Sequence, residues 1–254
     1  MSKMRHGVRL GLIGHRGYPQ HYPENSISGL VAAIEAGGTG VEFDVQLTSD
    51  LVPVLLHDAD LHRTSDKQGL VMDTPWSELQ GLAIGESKRF GDLFFRDRLP
   101  TLQSAVNILA GMPPIRVFVE IKEESLQRFG IATVMDTVIP IVEPLGNSCI
   151  LISFNQECLT YARKKGWPNA IGWVFEDWQT DQQALALALA PEYLFTDWRT
   201  IPESLQRLWS GPWQWVLYDV TTAEVALNWA SKGASFVETW AMTELRKDLA
   251  KLAR

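Results

Sequence analysis

The sequence predicts an α/β protein folded as a TIM-type (β/α)8 barrel. Strand-like apolar runs alternate with runs of helical periodicity along the whole chain, and eight strands remain once the return arm of one hairpin is set aside. Polar residues cluster where predicted strands end, which is the face on which such barrels carry their sites. The 254 residues suit one such barrel, and no linker-like stretch divides them, so we predict a single domain over residues 1–254.

Local apolar patterns place the elements in order. The first strand-like run starts at residue 8 and ends at Gly14, and the helix predicted at 26–36 stops at the Gly37-Gly38 pair. The predicted barrel strands begin near residues 8, 41, 117, 150, 171, 193, 213 and 236. The later predicted helices span residues 102–109, 125–141, 156–165, 181–189, 202–209, 222–232 and 242–252.

A hairpin interrupts the alternation after the second barrel strand. The turn between the runs 41–47 and 52–56 is too short for a crossover helix, so the two runs are predicted to pair antiparallel and to return His57 close to Asp44. Residues 59–100 then contain several glycines and prolines with weak periodicity. We interpret them as an insertion with one short helix at 74–79, forming a wall of a pocket.

Composition restricts the function classes. A net charge of -7 with scattered basic residues argues against nucleic-acid binding, and it means that an anionic ligand needs a metal ion or specific cations. Cys149 and Cys158 have neither disulfide-framework nor metal-knuckle spacing and are interpreted as idle thiols. The chain has neither a signal-peptide pattern nor an apolar run of about 18 residues, so we expect a cytoplasmic location without a stable membrane anchor.

Two pairs of charged residues lie near the ends of neighbouring predicted strands. Glu42 and Asp44 are two residues apart, so both side chains share one face of a strand, and Glu120 and Lys122 repeat the spacing. Solvated acids on an outer face are the alternative, but Val41, Phe43 and Val45 already supply the face that packs against helices. We therefore predict that Glu42, Asp44 and Glu120 converge inside the barrel and bind one divalent cation, Mg²⁺ or Ca²⁺.

His15 and His57 are the candidate general acid and base. Each lies at a predicted strand end beside a polar partner, and imidazole can donate or accept a proton near neutral pH. A structural role is the alternative for either histidine taken singly. Arg16 and Lys122 are the candidate phosphate-binding cations, because they offer a planar fork and a compact positive charge.

Other polar and aromatic residues have weaker assignments. Asn25 or Ser26 can cap the first helix, with Glu24 suited to its positive end, while Glu24 and Asn25 are also candidates to line the site. His21 and His62 are interpreted as surface residues. The tryptophans predicted near loops, and hence candidates for substrate contact, are Trp76, Trp198 and Trp240.

Taken together, the motifs resemble those of the glycerophosphodiester phosphodiesterases. In order, they are HRG at 15–17, PENS at 23–26, VEFDVQLTSD at 41–50, VPVLLHD at 52–58, LHRT at 61–64 and FVEIK at 118–122. The resemblance implies a TIM barrel with a small insertion, and hydrolysis of a small-molecule glycerophosphodiester to glycerol 3-phosphate and an alcohol. It also implies that the glycerol 2-hydroxyl attacks first and gives a cyclic phosphate. The residues carried over are Glu42, Asp44 and Glu120 as metal ligands, His15 and His57 as the acid/base pair, and Arg16 and Lys122 as phosphate contacts.

The chain departs from the family pattern at four places. Leu51 replaces a glycine and Gln103 a glutamate, while the segments LYDV at 217–220 and ET at 238–239 replace WTVN and TD. The last two lie at predicted strand ends around the barrel mouth, so we expect them to affect substrate preference.

Two other functions compete with this prediction. A phospholipase-like phosphodiesterase of the same superfamily would keep the barrel. Such enzymes usually act on membranes and are often secreted, so the net negative charge and the lack of a signal-peptide pattern count against this alternative. A non-catalytic module that binds a phosphorylated ligand would be expected to lack a catalytic histidine or a metal carboxylate, and all five residues are present.

Overall fold

The computed structural model describes residues 10–179 and 181–252 and confirms the TIM-barrel prediction. Eight parallel strands form a closed ring, because β1 pairs with both β2 and β9. The strands are β1 (Gly11–Gly14), β2 (Gly40–Leu47), β3 (Pro53–Leu55), β4 (Arg116–Ile121), β5 (Cys149–Ser153), β6 (Ile171–Val174), β7 (Tyr193–Asp197), β8 (Gln214–Tyr218) and β9 (Ala234–Thr239).

Strand β3 lies outside the ring as the return arm of the predicted hairpin. It pairs antiparallel with β2, with Val45 opposite Leu55. The Leu56 N–H donates to the Asp44 carbonyl at 3.1 Å, so the chain reaches His57 directly beside the second barrel strand. This pairing brings His57, which follows β3, close to Asp44 on β2.

Helices and turns surround the strands. The helices are α1 (Ile27–Glu35), α2 (Trp76–Leu79), α3 (Ser87–Phe90), α4 (Leu102–Leu109), α5 (Glu123–Phe129), α6 (Ile131–Val142), α7 (Gln156–Lys164), α8 (Gln182–Leu189), α9 (Ala223–Ser231) and α10 (Met242–Leu252). Of the two predicted caps of α1, Ser26 fills the position, since its hydroxyl accepts from the Gly29 N–H at 3.0 Å.

Two of the predicted helices are wrong: one is interrupted, and the other does not form. The helix predicted at 125–141 is broken at Gly130, whose φ of 82° lies outside the helical region. Residues 202–209 form turns rather than a helix. Backbone groups of this segment bond to residues outside it instead of to each other. The Leu208 N–H donates to the Lys232 carbonyl, and the Trp209 carbonyl accepts from the Trp213 and Trp215 indoles.

The remaining differences are smaller. The insertion contains α3 in addition to the predicted α2, and β9 is longer than the short strand predicted near residue 236. The predicted start of the first strand at residues 8 and 9 lies outside the described residues. Cys149 and Cys158 are both buried, and burial raises the pKa of Cys158 to about 12, in keeping with idle thiols.

The core has three parts, and one of them forms the floor of the site. The largest lies between the strands and the surrounding helices. A second fills the barrel interior and consists of Ile13, Phe118, Ile150, Ile152, Val174, Tyr193, Phe195, Val216 and Phe236. A third packs the insertion against the hairpin and consists of Val54, Leu56, Leu61, Val71, Leu79, Ile84 and Leu99.

Within residues 10–179 and 181–252, we find no helix with the length and apolar character needed to cross a membrane.

Candidate active site

The predicted carboxylates converge above the apolar floor of the barrel. Asp44 on β2 lies opposite Glu120 on β4 in the parallel register, and Glu42 lies one inward position below Asp44. All three side chains are buried, and one carboxylate oxygen of each lies within 4.8 Å of the others. The pleat explains this, because residues two apart on a strand point to the same side.

The electrostatics of this acid cluster favour a cation. Burial, together with the charges of neighbouring acids, raises the pKa of Glu42 well above its ordinary value, and burial also raises that of Glu120. The Oε1 atom of Glu42 is buried and has no hydrogen-bond partner among the described residues. Three buried oxygen donors with an unsatisfied atom are the donor set that suits a hard divalent ion.

Asp44 is the acid that stays ionised. Burial alone would raise the pKa of Asp44, but the positive charges of Lys122 and Arg16 hold it well below its ordinary value. The Lys122 Nζ atom lies 3.4 Å from Asp44 and donates to Glu120 at 2.8 Å. Lys122 therefore reaches the acid cluster, as its position two residues after Glu120 predicts.

Arg16 closes the cluster from the turn after β1. Its backbone, in the left-handed region with a φ of 55°, donates to Glu42 Oε2 at 2.9 Å. Its side chain lies 3.3 Å from Asp44 and 3.4 Å from Glu24. The atom nearest Asp44 is the buried Nε, which lies too far from hydrogen-bond geometry to count as a bond within the described part of the chain, so Arg16 pairs with the acid cluster mainly through its charge.

His57 is held by a chain of polar contacts that starts at its neighbour. Its Nδ1 atom lies 2.7 Å from Asp58, and Asp58 accepts from Arg63 Nε at 2.5 Å. Arg63 in turn donates to both carboxylate oxygens of Glu24, at 2.6 and 2.7 Å. Glu24 thus binds Arg63, and it also lines a neighbouring cavity with His15 and Arg16.

His15 is held by an arrangement of the same kind, built from distant strands. Its Nδ1 atom lies 3.1 Å from Asp219 Oδ1, just after β8, and Asp219 Oδ2 accepts from Arg199 at 2.7 Å. Arg199 also donates to both oxygens of Asp197 at the end of β7. Each candidate histidine therefore has a carboxylate on Nδ1 and an arginine behind that carboxylate.

Both histidines line one cavity of about 210 Å³ at the barrel mouth, together with Glu120 and Lys122. Glu238 also lines it, with an Oε1 atom that is buried and not hydrogen-bonded within residues 10–179 and 181–252. Burial and the nearby Glu120 and Asp44 raise the pKa of Glu238 well above its ordinary value. The cavity is therefore lined by five of the seven predicted site residues and an additional acid, and Glu120 joins it to the cluster that contains Glu42 and Asp44.

Several of these residues were missed in the sequence. Arg63, Arg199, Asp219 and Glu238 received no site role, although Asp219 and Glu238 fall in the two departures at predicted strand ends, which was the available signal. Arg63 lies inside the LHRT motif. Arg199 had no sequence signal, because its role comes from contacts with Asp197 at the end of β7 and with Asp219 just after β8.

The three tryptophans named as candidates have different surroundings. Trp240 is partly exposed and lines a neighbouring cavity with His15 and Arg16. Trp198 donates its indole N–H to the Asp219 carbonyl at 3.3 Å. Trp76 packs against the core of the insertion. His21 and His62 are exposed, as predicted.

A (β/α)8 barrel whose strand ends carry an acid cluster, two cations and two carboxylate-held histidines defines a class of barrel hydrolases that act on phosphoesters. The chain belongs to the glycerophosphoryl diester phosphodiesterase family, whose profile matches residues 15–208. This agrees with the resemblance drawn from the sequence motifs.

Individual relatives support the same family. A glycerophosphodiester phosphodiesterase of Caldanaerobacter subterraneus is 31% identical over 202 residues, covering 77% of this chain and 79% of the relative. Glycerophosphodiester phosphodiesterase 1 of Rattus norvegicus is 39% identical over 98 residues, which are 39% of this chain and 30% of that protein. The matched segment thus spans less than a third of the rat relative.

Solved structures share the fold at low identity. A phosphodiesterase of Oleispira antarctica, in complex with the product sn-glycerol-3-phosphate, has a TM-score of 0.84 at 23% identity, covering 94% of this chain and 96% of that one. A glycerophosphodiester phosphodiesterase of Thermotoga maritima has a TM-score of 0.72 at 22% identity, covering 98% and 100%.

Proposed function

We propose that this chain hydrolyses glycerophosphodiesters, such as glycerophosphocholine and glycerophosphoethanolamine, to glycerol 3-phosphate and an alcohol. The observation that carries the proposal is that His15 and His57, each held at Nδ1 by a carboxylate, line one cavity with Glu120 of the acid cluster. Cleavage of a phosphodiester needs one group to accept the proton of the nucleophile and another to donate a proton to the leaving alkoxide. Two histidines in one cavity supply both groups.

The cations allow a phosphodiester to enter a site rich in acids. Arg16 lines the cavity and carries a positive charge beside Asp44, with Nε 3.3 Å from Asp44 Oδ2. Lys122 keeps its charge because Asp44 and Glu120 raise its pKa against the effect of burial. These two groups orient the phosphate by charge-assisted hydrogen bonds.

Glu42, Asp44 and Glu120 would hold one divalent cation, Mg²⁺ or Ca²⁺. Such an ion would neutralise the buried acids and supply positive charge that stabilises the negative charge of the phosphate. The orphaned Glu42 Oε1 atom and the spacing of the three carboxylates support this ligand set.

The proton transfers divide between the two histidines. In the first step one histidine accepts the proton of the glycerol 2-hydroxyl as its oxygen bonds to phosphorus, and the other protonates the departing alcohol oxygen. The product of that step is a cyclic phosphate. In the second step water adds to phosphorus and gives a proton to the second histidine, while the ring bond from phosphorus to the glycerol 2-oxygen breaks and that oxygen takes the proton held by the first histidine. This gives glycerol 3-phosphate and returns both histidines to their starting states.

Release of glycerol 3-phosphate tests this proposal. The unsubstituted protein is assayed with glycerophosphocholine and glycerophosphoethanolamine in Mg²⁺, Ca²⁺ or EDTA. We expect turnover that EDTA abolishes and that His15→Ala and His57→Ala each reduce by about 10²- to 10⁴-fold. His62→Ala is the matched control, because that side chain is exposed and should leave turnover unchanged.

Two outcomes contradict the proposal in different ways. Turnover that resists EDTA and both substitutions would exclude this mechanism. Tight binding of the diesters without any release of glycerol 3-phosphate would instead favour the binding-module alternative.

A further inference from the structure

The contacts of His15 point to a residue that the family motifs do not supply. The turn after β8 places Asp219 in the left-handed region with a φ of 60°, and its carboxylate Oδ1 lies 3.1 Å from His15 Nδ1. An ionised carboxylate only accepts hydrogen bonds, so the contact requires the hydrogen on Nδ1. Burial opposes ionisation of Asp219, but the hydrogen bond from His15 and the charges of His15 and Arg199 lower its pKa.

Hydrogen bonds hold both the carboxylate and the backbone of Asp219 in place. Its Oδ2 accepts from Arg199 at 2.7 Å, and Arg199 is itself held by both oxygens of Asp197. The backbone carbonyl of Asp219 accepts from the Trp198 indole at 3.3 Å, and the next N–H, of Val220, donates to the Glu238 carbonyl at 3.0 Å. With both oxygens and the backbone engaged, the carboxylate cannot rotate away without breaking several hydrogen bonds.

The arrangement repeats the one at the other histidine. At His57 the order is histidine, Asp58, Arg63 and Glu24, all provided by the family motifs. At His15 the order is histidine, Asp219, Arg199 and Asp197, drawn from the ends of β1, β8 and β7. The segment 217–220 departs from the family pattern, so the family motifs gave no reason to expect this second carboxylate.

We propose that Asp219, held by Arg199, is a positioning residue that keeps the hydrogen of neutral His15 on Nδ1 and leaves Nε2 as the nitrogen that exchanges protons with the substrate. The catalytic consequence rests on the proposed function, but the tautomer does not. In the other tautomer Nε2 carries the hydrogen and Nδ1 carries the lone pair. The ring must then turn over before the substrate meets the nitrogen that has the lone pair.

The experiment measures the tautomer and the rates separately. Two-bond ¹H–¹⁵N correlation spectra of ¹⁵N-histidine protein, assigned with His15→Ala, report which nitrogen of His15 carries hydrogen. We expect the Nδ1–H form in the unsubstituted protein and a shift toward Nε2–H in Asp219→Asn, because the amide can donate to Nδ1. We expect kcat to fall about 10²- to 10⁴-fold in that variant with KM changed less than about threefold.

Companion variants separate positioning from stability. Asp219→Glu keeps a carboxylate and should restore part of the kcat lost in Asp219→Asn. Arg199→Ala frees Oδ2 only, and should cost about 10-fold in kcat with the tautomer largely retained. Asp136→Asn is the matched control, since that exposed aspartate pairs with Lys165 and should change neither readout.

The outcomes are distinct. An unchanged His15 tautomer and unchanged kcat in Asp219→Asn would overturn the proposal. If Asp219→Asn does not fold, Asp219→Ser, which also removes the carboxylate from His15 Nδ1, is judged by the same two readouts. If the unsubstituted protein hydrolyses no glycerophosphodiester, the proposed function fails while the spectra still decide whether Asp219 sets the tautomer.

Discussion

Asn25 and Asp44 are joined by two hydrogen bonds that run in opposite directions. The Asn25 amide donates to Asp44 Oδ2 at 2.9 Å, and the Asp44 backbone N–H donates to Asn25 Oδ1 at 3.1 Å. The turn that carries Asn25 is itself tied down, since its N–H donates to the Arg16 carbonyl at 3.0 Å. One side-chain amide therefore fixes both the strand and the carboxylate at the centre of the acid cluster.

Removing this amide should impair the site more than the fold. Asn25 has a φ of 51°, so Asn25→Ala adds backbone strain to the loss of two hydrogen bonds, whereas Asn25→Gly loses only the hydrogen bonds. We expect kcat/KM for glycerophosphocholine to fall about 10- to 100-fold in both variants. Urea unfolding should show Asn25→Gly to be the more stable of the two. Full activity in the glycine variant would mean that the amide does not orient Asp44.

Metal binding should stabilise the protein in a pH-dependent way. In the metal-free protein the raised pKa values of Glu42 and Glu120 contribute stability below the ordinary pKa of a glutamate, and this contribution is lost as the pH rises through the raised values. Deprotonated carboxylates bind the ion, so stabilisation by Mg²⁺ or Ca²⁺ should grow from pH 5 to pH 7.5. At 100 times Kd it should reach about 2.7 kcal/mol, measured by thermal unfolding with and without EDTA.

The matched variants for the metal test are Asp44→Asn and Glu157→Gln. Asp44→Asn should remove most of the stabilisation by the ion. Glu157 is exposed on α7, so its substitution should leave that stabilisation intact. Equal stabilisation of both variants would show that the ion binds elsewhere.

The ion pair of Arg63 with Glu24 should make the free energy of unfolding depend on pH in the acid range. Burial opposes ionisation of Glu24, but hydrogen bonds from Arg63 and the charges of Arg16 and Arg63 lower its pKa. A lowered carboxyl pKa contributes stability that is complete above the ordinary value of about 4.3 and is lost as the pH falls through the lowered value. We expect Arg63→Met to reduce the free energy of unfolding by about 1–2 kcal/mol at pH 7 and by less near pH 3.

Arg128→Met controls for loss of an exposed arginine. Arg128 pairs with Asp73 at 3.3 Å with both side chains exposed, so its removal should cost less than about 0.5 kcal/mol at either pH. Urea titrations at the two pH values make the comparison. A pH-independent loss in Arg63→Met would contradict the role assigned to Glu24.

The insertion should unfold locally when its small core is damaged. Leu79 is fully buried in the third core cluster, which is separate from the main core. Leu79→Ala should cost about 2–5 kcal/mol, expressed mainly as opening of the insertion. Limited trypsin digestion should then cut at Lys88, Arg89 or Arg96, and activity should fall because Arg63 lies in this region.

Leu187→Ala is the control for the insertion test. Leu187 is 54% exposed on α8, so its truncation should change stability by less than about 0.5 kcal/mol and leave the trypsin pattern unchanged. If Leu79→Ala instead weakens the whole chain without new cuts between residues 85 and 98, the insertion unfolds together with the barrel.

The parts of the site that could be predicted are those encoded by short spacings. The interval of two puts Glu42 and Asp44 on the inner face of β2 whichever other strands surround it, and the same interval after Glu120 directs Lys122, the first residue beyond β4, to the same side. The hairpin followed in the same way from a turn too short to cross over. The helix predicted at 202–209 failed because periodicity does not register tertiary partners, which here include Lys232 and the indoles of Trp213 and Trp215.

By itself the sequence determined the barrel, its strand order along the chain and the inward placement of Glu42, Asp44, Glu120 and Lys122, because strand alternation and helix periodicity are local properties. Only the tertiary structure decided that Asp219 meets His15, because β1 closes the ring next to β9 and β8, and that the insertion brings Arg63 to Glu24. These residues are 204 and 39 positions apart. No local pattern encodes contacts at such separations; they arise because parallel strands bring their carboxyl ends to one face.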